Sequence, residues 1–154
     1  MRTQSNYPNI KLTPPTTHLA ITLAEGQTEN RKVRGAKKYW CNGIKFDSHL
    51  EAYAYQLFTI NGINVELKKT YILVPKFKYL DEKIRAIEAE PDFRLPDYGF
   101  IVDTKGHQTH ESKLKFKLLK NHLRETGSTD KVVLLPTPAS VRGFVYDLLC
   151  QTPS

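Results

Sequence analysis

Two aspartates and a lysine fall on one face of a short hairpin, and this trio is the chemistry that the sequence offers. The run Pro91-Asp92-Phe93-Arg94-Leu95 leads through Pro96-Asp97-Tyr98-Gly99 into Phe100-Ile101-Val102-Asp103-Thr104-Lys105-Gly106. Pro, Asp and Gly in the middle four residues predict a tight turn between two apolar-rich strands. With that turn, Leu95 faces Phe100, Phe93 faces Val102, and Asp92 faces Asp103. Side chains alternate along a strand, so Phe93, Leu95, Phe100 and Val102 share one face, and Asp92, Asp103 and Lys105 share the other. Directly opposed like charges destabilise an antiparallel pair, whose β-carbons lie only about 4.5–5.5 Å apart. A cation between the carboxylates, or a proton on one of them, removes that cost. Hard divalent cations such as Mg²⁺ bind one or two protein carboxylates and keep positions for water and phosphate oxygens. A lysine two residues on would then stabilise a pentavalent phosphate or help activate the attacking water. The plain alternative is a solvent-exposed aspartate pair flanking a turn, with Lys105 as its salt-bridge partner.

The elements that would position this face can be read on either side of it. Ser48-His49-Leu50-Glu51 reads as a helix start, with serine as the cap and Glu51 reaching back to the cap. The helix is expected over 48–61; Leu50, Tyr53, Ala54, Leu57 and Phe58 make its apolar arc, and Glu51 falls at the edge of that arc. Asn42-Gly43 predicts a two-residue turn in a small hairpin over 38–46. Residues 65–74 read as one strand ended by Pro75, and 76–90 as ambiguous, with a helical turn or a loop over 81–89. A helix over 111–125, a short buried strand over 131–135 and a last helix from Ser140 to about Cys150 complete the chain.

Residue order and wording carry a resemblance beyond the hairpin. Pro91-Asp92, ten intervening residues, then Asp103-Thr104-Lys105 resembles the signature of the PD-(D/E)xK nuclease superfamily. The segment Asn42-Gly43-Ile44-Lys45-Phe46-Asp47-Ser48-His49-Leu50-Glu51-Ala52-Tyr53 adds the acidic residue, Glu51, that members carry on a helix before the first strand. Together the two segments look like small phage-encoded members and, more distantly, like archaeal Holliday-junction resolvases and the endonuclease subunits of some transposons. The resemblance implies an α/β, restriction-endonuclease-like core, a central mixed sheet flanked by helices in the order α-β-β-β-α-β-α. It implies that Asp92 and Asp103 ligate Mg²⁺ (Mn²⁺ substituting), with Glu51 joining directly or through water and the Thr104 carbonyl adding a ligand. Lys105 would serve the attacking water, and DNA would be cut by phosphodiester hydrolysis. Small size favours structure-selective cleavage of branched or junction DNA in phage or mobile-element recombination, repair or processing over sequence-specific restriction. Two-strand cutting needs two sites, so a homodimer is expected. The competing classes are a DNA-binding or assembly factor that keeps the fold without cutting, a transposon-type endonuclease, and a ribonuclease.

Composition agrees with a polyanionic partner. The chain of 154 residues carries a net charge of +7 and is 40% hydrophobic, enough for a core. Residues 1–36 read as an extended or partly disordered arm with several prolines and one short strand over 18–23, followed by a nuclease domain over 37–154. Arg31, Lys32, Arg34, Lys37 and Lys38 make a basic cluster that is either a solvated linker or a phosphate-contacting arm. Lys113, Lys117, Lys120 and Arg124 recur at i, i+4, i+7 and i+11 as one basic stripe, with Phe116, Leu119 and Leu123 on a separate apolar face. Lys115 stands apart from the stripe, either snorkelling or approaching the scissile phosphate. His107 and His110 have a metal-compatible spacing without a third ligand, against a zinc site. Cys41 and Cys150 show no metal spacing and suggest a reducing compartment, with one disulfide as the alternative. With no apolar run of the ~20 residues that span a bilayer, a cytoplasmic protein, in the host cytoplasm if phage-encoded, is expected.

Overall fold

The computed structural model describes residues 22–23 and 37–151. Among these the protein is mixed α/β, with three helices and several small sheets. In chain order the elements are β1 (Thr22–Leu23), β2 (Tyr39–Cys41), β3 (Ile44–Phe46), α1 (His49–Ile60), β4 (Glu66–Leu67), β5 (Tyr71–Val74), β6 (Phe77–Tyr79), β7 (Glu82–Ile84), β8 (Ile87–Ala89), β9 (Phe93–Leu95), β10 (Phe100–Asp103), α2 (His110–Glu125), β11 (Lys131–Leu134) and α3 (Pro138–Cys150). They group into two compact units. One takes the chain up to Ile63 together with the stretch from Thr137 onward, and the other runs from Asn64 to Pro136.

In the first unit, β1, β2 and β3 form an antiparallel sheet on which α1 packs, and α3 packs on α1. The β2–β3 turn is Asn42-Gly43, both residues at positive φ (51° and 75°), as a primed hairpin turn requires. Ser48 caps α1, its side chain accepting from Glu51 N–H. Val141, Val145 and Leu148 recur at i, i+4 and i+7 on α3 and are buried, as are Leu57 and Phe58 on α1. Of the expected N-terminal strand, only Thr22 and Leu23 are described, paired with Trp40 and Tyr39. The rest of the arm, with Arg31, Lys32 and Arg34, lies outside the described residues.

The second unit is built on a four-stranded sheet of order β11-β10-β9-β4, in which β10 and β11 are parallel and the other pairs antiparallel. Parallel neighbours need a long connection, and α2 supplies it. Leu119 and Leu123, one turn apart on α2, close a core with Ile101 and Tyr71, flanked by Leu73 and Val132. Arg94 on β9 bonds Asp130 (2.8 Å) and Glu66 on β4 (3.1 Å), tying that side of the sheet together.

Four expectations about elements change here. The strand over 65–74 is two, because Lys68 turns to φ 44° and its N–H donates to the Asp92 carbonyl (3.1 Å). The stretch 81–89 contains no helical turn: Glu82–Ile84 pairs with Phe77–Tyr79, and Ile87–Ala89 with Tyr71–Val74. The strand expected over 131–135 is Lys131–Leu134 at the sheet edge, half-buried apart from exposed Lys131, and Leu135 just after it is buried. The last helix starts earlier, capped by Thr137 with Pro138 at its first position, and Ser140 is the partner in the capping box.

Candidate active site

The register of the central hairpin follows from its turn. Tyr98 and Gly99 N–H groups both donate to the Leu95 carbonyl (3.2 and 3.0 Å), with Gly99 at φ 67°. Leu95 then pairs with Phe100, Arg94 with Ile101 and Phe93 with Val102. Beyond that last pair, Asp92, just ahead of β9, lies near enough to Asp103, the last residue of β10, for its charge to act on it. The apolar side is fully buried at Phe93, Leu95 and Val102. Ile101 and Asp103 point the other way, toward the face that α2 covers.

Asp103 is only 4% exposed, and its Oδ2 has no hydrogen-bond partner. Burial foremost, and then the charge of Asp92, push its pKa up to about 6, an effect that Lys105 partly opposes. Lys105 Nζ lies 3.8 Å from that Oδ2, an ion pair too long to be a hydrogen bond. Asp92 is held in place by Thr104, whose N–H and hydroxyl both donate to Asp92 Oδ2 at 2.7 Å. Of the solvent-exposed aspartate pair that sequence allowed, the half that survives is the long contact to Lys105; Asp103 itself is buried.

A buried carboxylate oxygen without a donor, beside a second carboxylate, is costly unless a cation or a proton reaches it. This donor set fits one hard divalent cation, which needs few protein carboxylates and takes water and phosphate oxygens for the rest. Among the described residues no group of three or more His, Cys, Asp or Glu side chains converges as a metal set, and His107 and His110 are both exposed.

Asp103 and Lys105 line an open cleft of ≈ 510 Å³, whose walls include Glu88 and Glu90 near β8 and Lys115 and Phe116 of α2. Lys115 bonds Glu111 one turn back at 3.0 Å. For Lys115 the sequence allows snorkelling or approach to a scissile phosphate; the side chain lines the cleft and pairs with Glu111. Glu88 and Glu90 were missed, and only the strand pairing of 71–74 with 87–89 brings them to the site.

Lys113, Lys117, Lys120 and Arg124 are all exposed on α2, opposite in character to buried Leu119 and Leu123. Glu51 belongs to the first unit, 8% exposed in the first turn of α1. Its carboxylate accepts from the Ser48 hydroxyl (3.1 Å) and the Asp47 N–H (3.2 Å), so the capping role read from sequence is real, with the backbone donor one residue earlier than expected. Lys37 is exposed, and Lys38 pairs with Asp47.

A mixed α/β protein with neighbouring carboxylates and a lysine in a cleft is the class that fold and site define. The family model described as "Protein of unknown function (DUF1064)" matches residues 31–133, and the chain belongs to that family. The matched span contains Glu51, Asp92, Asp103, Lys105 and the α2 stripe. No curated protein and no solved structure matches the chain. Among the described residues no helix is long and apolar enough to cross a membrane.

Proposed function

We propose that this chain is a metal-dependent DNA endonuclease with a restriction-endonuclease-like core, akin to the PD-(D/E)xK superfamily. The observation that carries the reading is the buried Asp103 Oδ2 without a hydrogen-bond partner, beside Asp92 and 3.8 Å from Lys105 Nζ. Asp92 and Asp103 hold the cation, Mg²⁺ or Mn²⁺, with the Thr104 carbonyl as a further ligand. Bound there, the cation supplies Lewis-acid polarisation and charge neutralisation for phosphodiester hydrolysis. Thr104 fixes the Asp92 carboxylate through two short bonds, so the pair keeps its spacing as charge changes nearby. Lys105, with its side chain half exposed, is placed to orient the attacking water and to offset charge on the phosphorus centre. Lys115 faces the same cleft and offers a second cation for a phosphate. Glu51 is the further acidic residue that the resemblance implies, carried by α1 of the first unit. The α2 stripe of Lys113, Lys117, Lys120 and Arg124 is the phosphate track.

The substrate is branched or junction DNA, and the working form is a homodimer that cuts two strands. Incubating the purified protein with linear, nicked, flapped and four-way DNA, in Mg²⁺ or in EDTA, tests this reading. Cleavage confined to the Mg²⁺ arm and strongest on branched DNA is expected. Absence of cleavage on every substrate in both Mg²⁺ and Mn²⁺ overturns it.

A further inference from the structure

The ribbon that rises from the cleft wall carries its own unexplained charges. Phe77 pairs with Ile84, Lys78 with Lys83 and Tyr79 with Glu82 across β6 and β7. Alternation puts Phe77, Tyr79, Glu82 and Ile84 on one face and Lys78 and Lys83, directly opposed, on the other. One step before the first pair, Lys76 and Arg85 flank the ladder on that same basic face. All four cations are exposed, and none is ion-paired with a described residue. Opposed like charges weaken a two-stranded ribbon, which is already marginal without a core of its own. Four unpaired cations on one face of an exposed ribbon are a surface that a polyanion can occupy.

We propose that the β6–β7 hairpin is a nucleic-acid-binding arm, its basic face laid on the phosphate backbone of a DNA duplex. Two-stranded ribbons fit the grooves of duplex DNA, and paired cations one ladder step apart match closely spaced phosphates. Phe77 and Tyr79 stand 50% and 63% exposed on the opposite face, so the basic face carries the contact alone. The tip argues against insertion into an anionic bilayer. Leu80 is 80% exposed there, but exposed Asp81 and Glu82 follow it directly, so the end of the hairpin is acidic and only its shaft is basic. The arm continues the β5–β8 pairing, and Glu88 and Glu90 at its base line the cleft that holds Asp103 and Lys105. Placed there, the arm deepens the nuclease reading by fixing how duplex flanks the cut, although its own charge pattern stands without that reading.

The test compares the unaltered protein with the variant Lys76→Gln, Lys78→Gln, Lys83→Gln, Arg85→Gln by fluorescence anisotropy on a short DNA duplex. Measurement in EDTA over a salt series keeps binding separate from cleavage. The variant should bind at least tenfold more weakly at fixed salt, with the slope of log K against log[salt] reduced by about 0.9 for each phosphate no longer neutralised. It should melt no lower than the parent, since opposed cations have been removed. An unchanged slope overturns the proposal, as does binding of phosphatidylserine vesicles in place of duplex. A lower melting temperature overturns it too, because the cations would then be structural partners. DNA binding that depends on the arm while no substrate is cut in Mg²⁺ sinks the nuclease reading and leaves the arm standing. Cleavage with an arm-independent salt slope does the reverse.

Discussion

Two hairpins of one unit carry neighbouring like charges, and they carry them in opposite surroundings. In β9–β10 the pair is Asp92 with Asp103, and Asp103 is 4% exposed. In β6–β7 it is Lys78 with Lys83, both in open solvent. Water screens the lysines, so their mutual repulsion costs at most a few tenths of a kcal/mol and can persist unpaired. Burial denies that relief to Asp103, and the protein answers by raising its pKa and leaving its Oδ2 without a donor. A buried like-charge pair calls for a small cation or a proton; an exposed one is open to a diffuse polyanion. On the readings proposed above, the same sequence pattern serves catalysis in one place and binding in the other.

Removing one buried carboxylate is the strongest way to break the comparison. Asp103→Asn should reduce cleavage at least a hundredfold, since it strips a donor from the cation site. Without metal the variant should melt at the same temperature or higher, because a repulsive buried charge has gone. Near-normal turnover ends the metal mechanism, and a clear loss of melting temperature in EDTA makes the Lys105 contact a structural salt bridge.

Titration separates the hairpins next. Asp103 moves from 3.8 to about 6 on folding, so the folded chain binds more protons than the unfolded one between those values. Stability of the metal-free protein due to this group is therefore complete below pH about 4 and falls as pH rises to about 6, by at most roughly 3 kcal/mol at 1.36 kcal/mol per unit. Chemical denaturation over that range, compared between the parent and Asp103→Asn, should show the fall only in the parent. Lys78→Gln, on the exposed arm and away from the buried pair, should leave the profile unaltered. A flat difference between the parent and Asp103→Asn means that Asp103 ionises without cost.

Glu51 has a smaller expected effect. Glu51→Gln retains the hydrogen bonds from Ser48 and Asp47 in outline, because glutamine also serves at that cap position. Turnover should drop about tenfold, in the range of a supporting group, with little change in melting temperature. Unchanged turnover leaves the residue as a helix cap alone.

The two hairpins also differed in how much of them could be read in advance. The β9–β10 register was legible because Pro96, Asp97 and Gly99 fix a turn locally, and a fixed turn fixes every pair that follows. The α1 start was legible for the same reason, through Ser48 and Glu51. The ribbon from Tyr71 to Ala89 was not. Its tip uses Leu80 at φ 51°, a residue that gives no turn signal, and Glu82-Lys83 suits a helix as well as a strand. Cross-strand pairing decided it, a tertiary effect that local propensity does not register. Lys68 at φ 44° breaks the earlier strand with as little warning. At the site, the carboxylates and the lysine were legible from the turn that aligns them. The burial of Asp103 and the cleft shared with Lys115 and Glu88 depend instead on the packing of α2 on Ile101 and on the pairing of β8 with β5.

The finest probe reverses one charge on the exposed arm. In Lys78→Glu a carboxylate stands opposite Lys83, turning a repulsive cross-strand pair into an attractive one. The gain should be about 0.2–1 kcal/mol, seen as a slightly higher melting temperature that shrinks as salt is added. Duplex affinity should move the other way, because a cation is removed and an anion introduced on the proposed backbone-contacting face. Opposite signs for stability and affinity from one substitution are what an arm kept for binding should give. If both rise together, the lysine pair has no nucleic-acid role, and the hairpins differ only in burial.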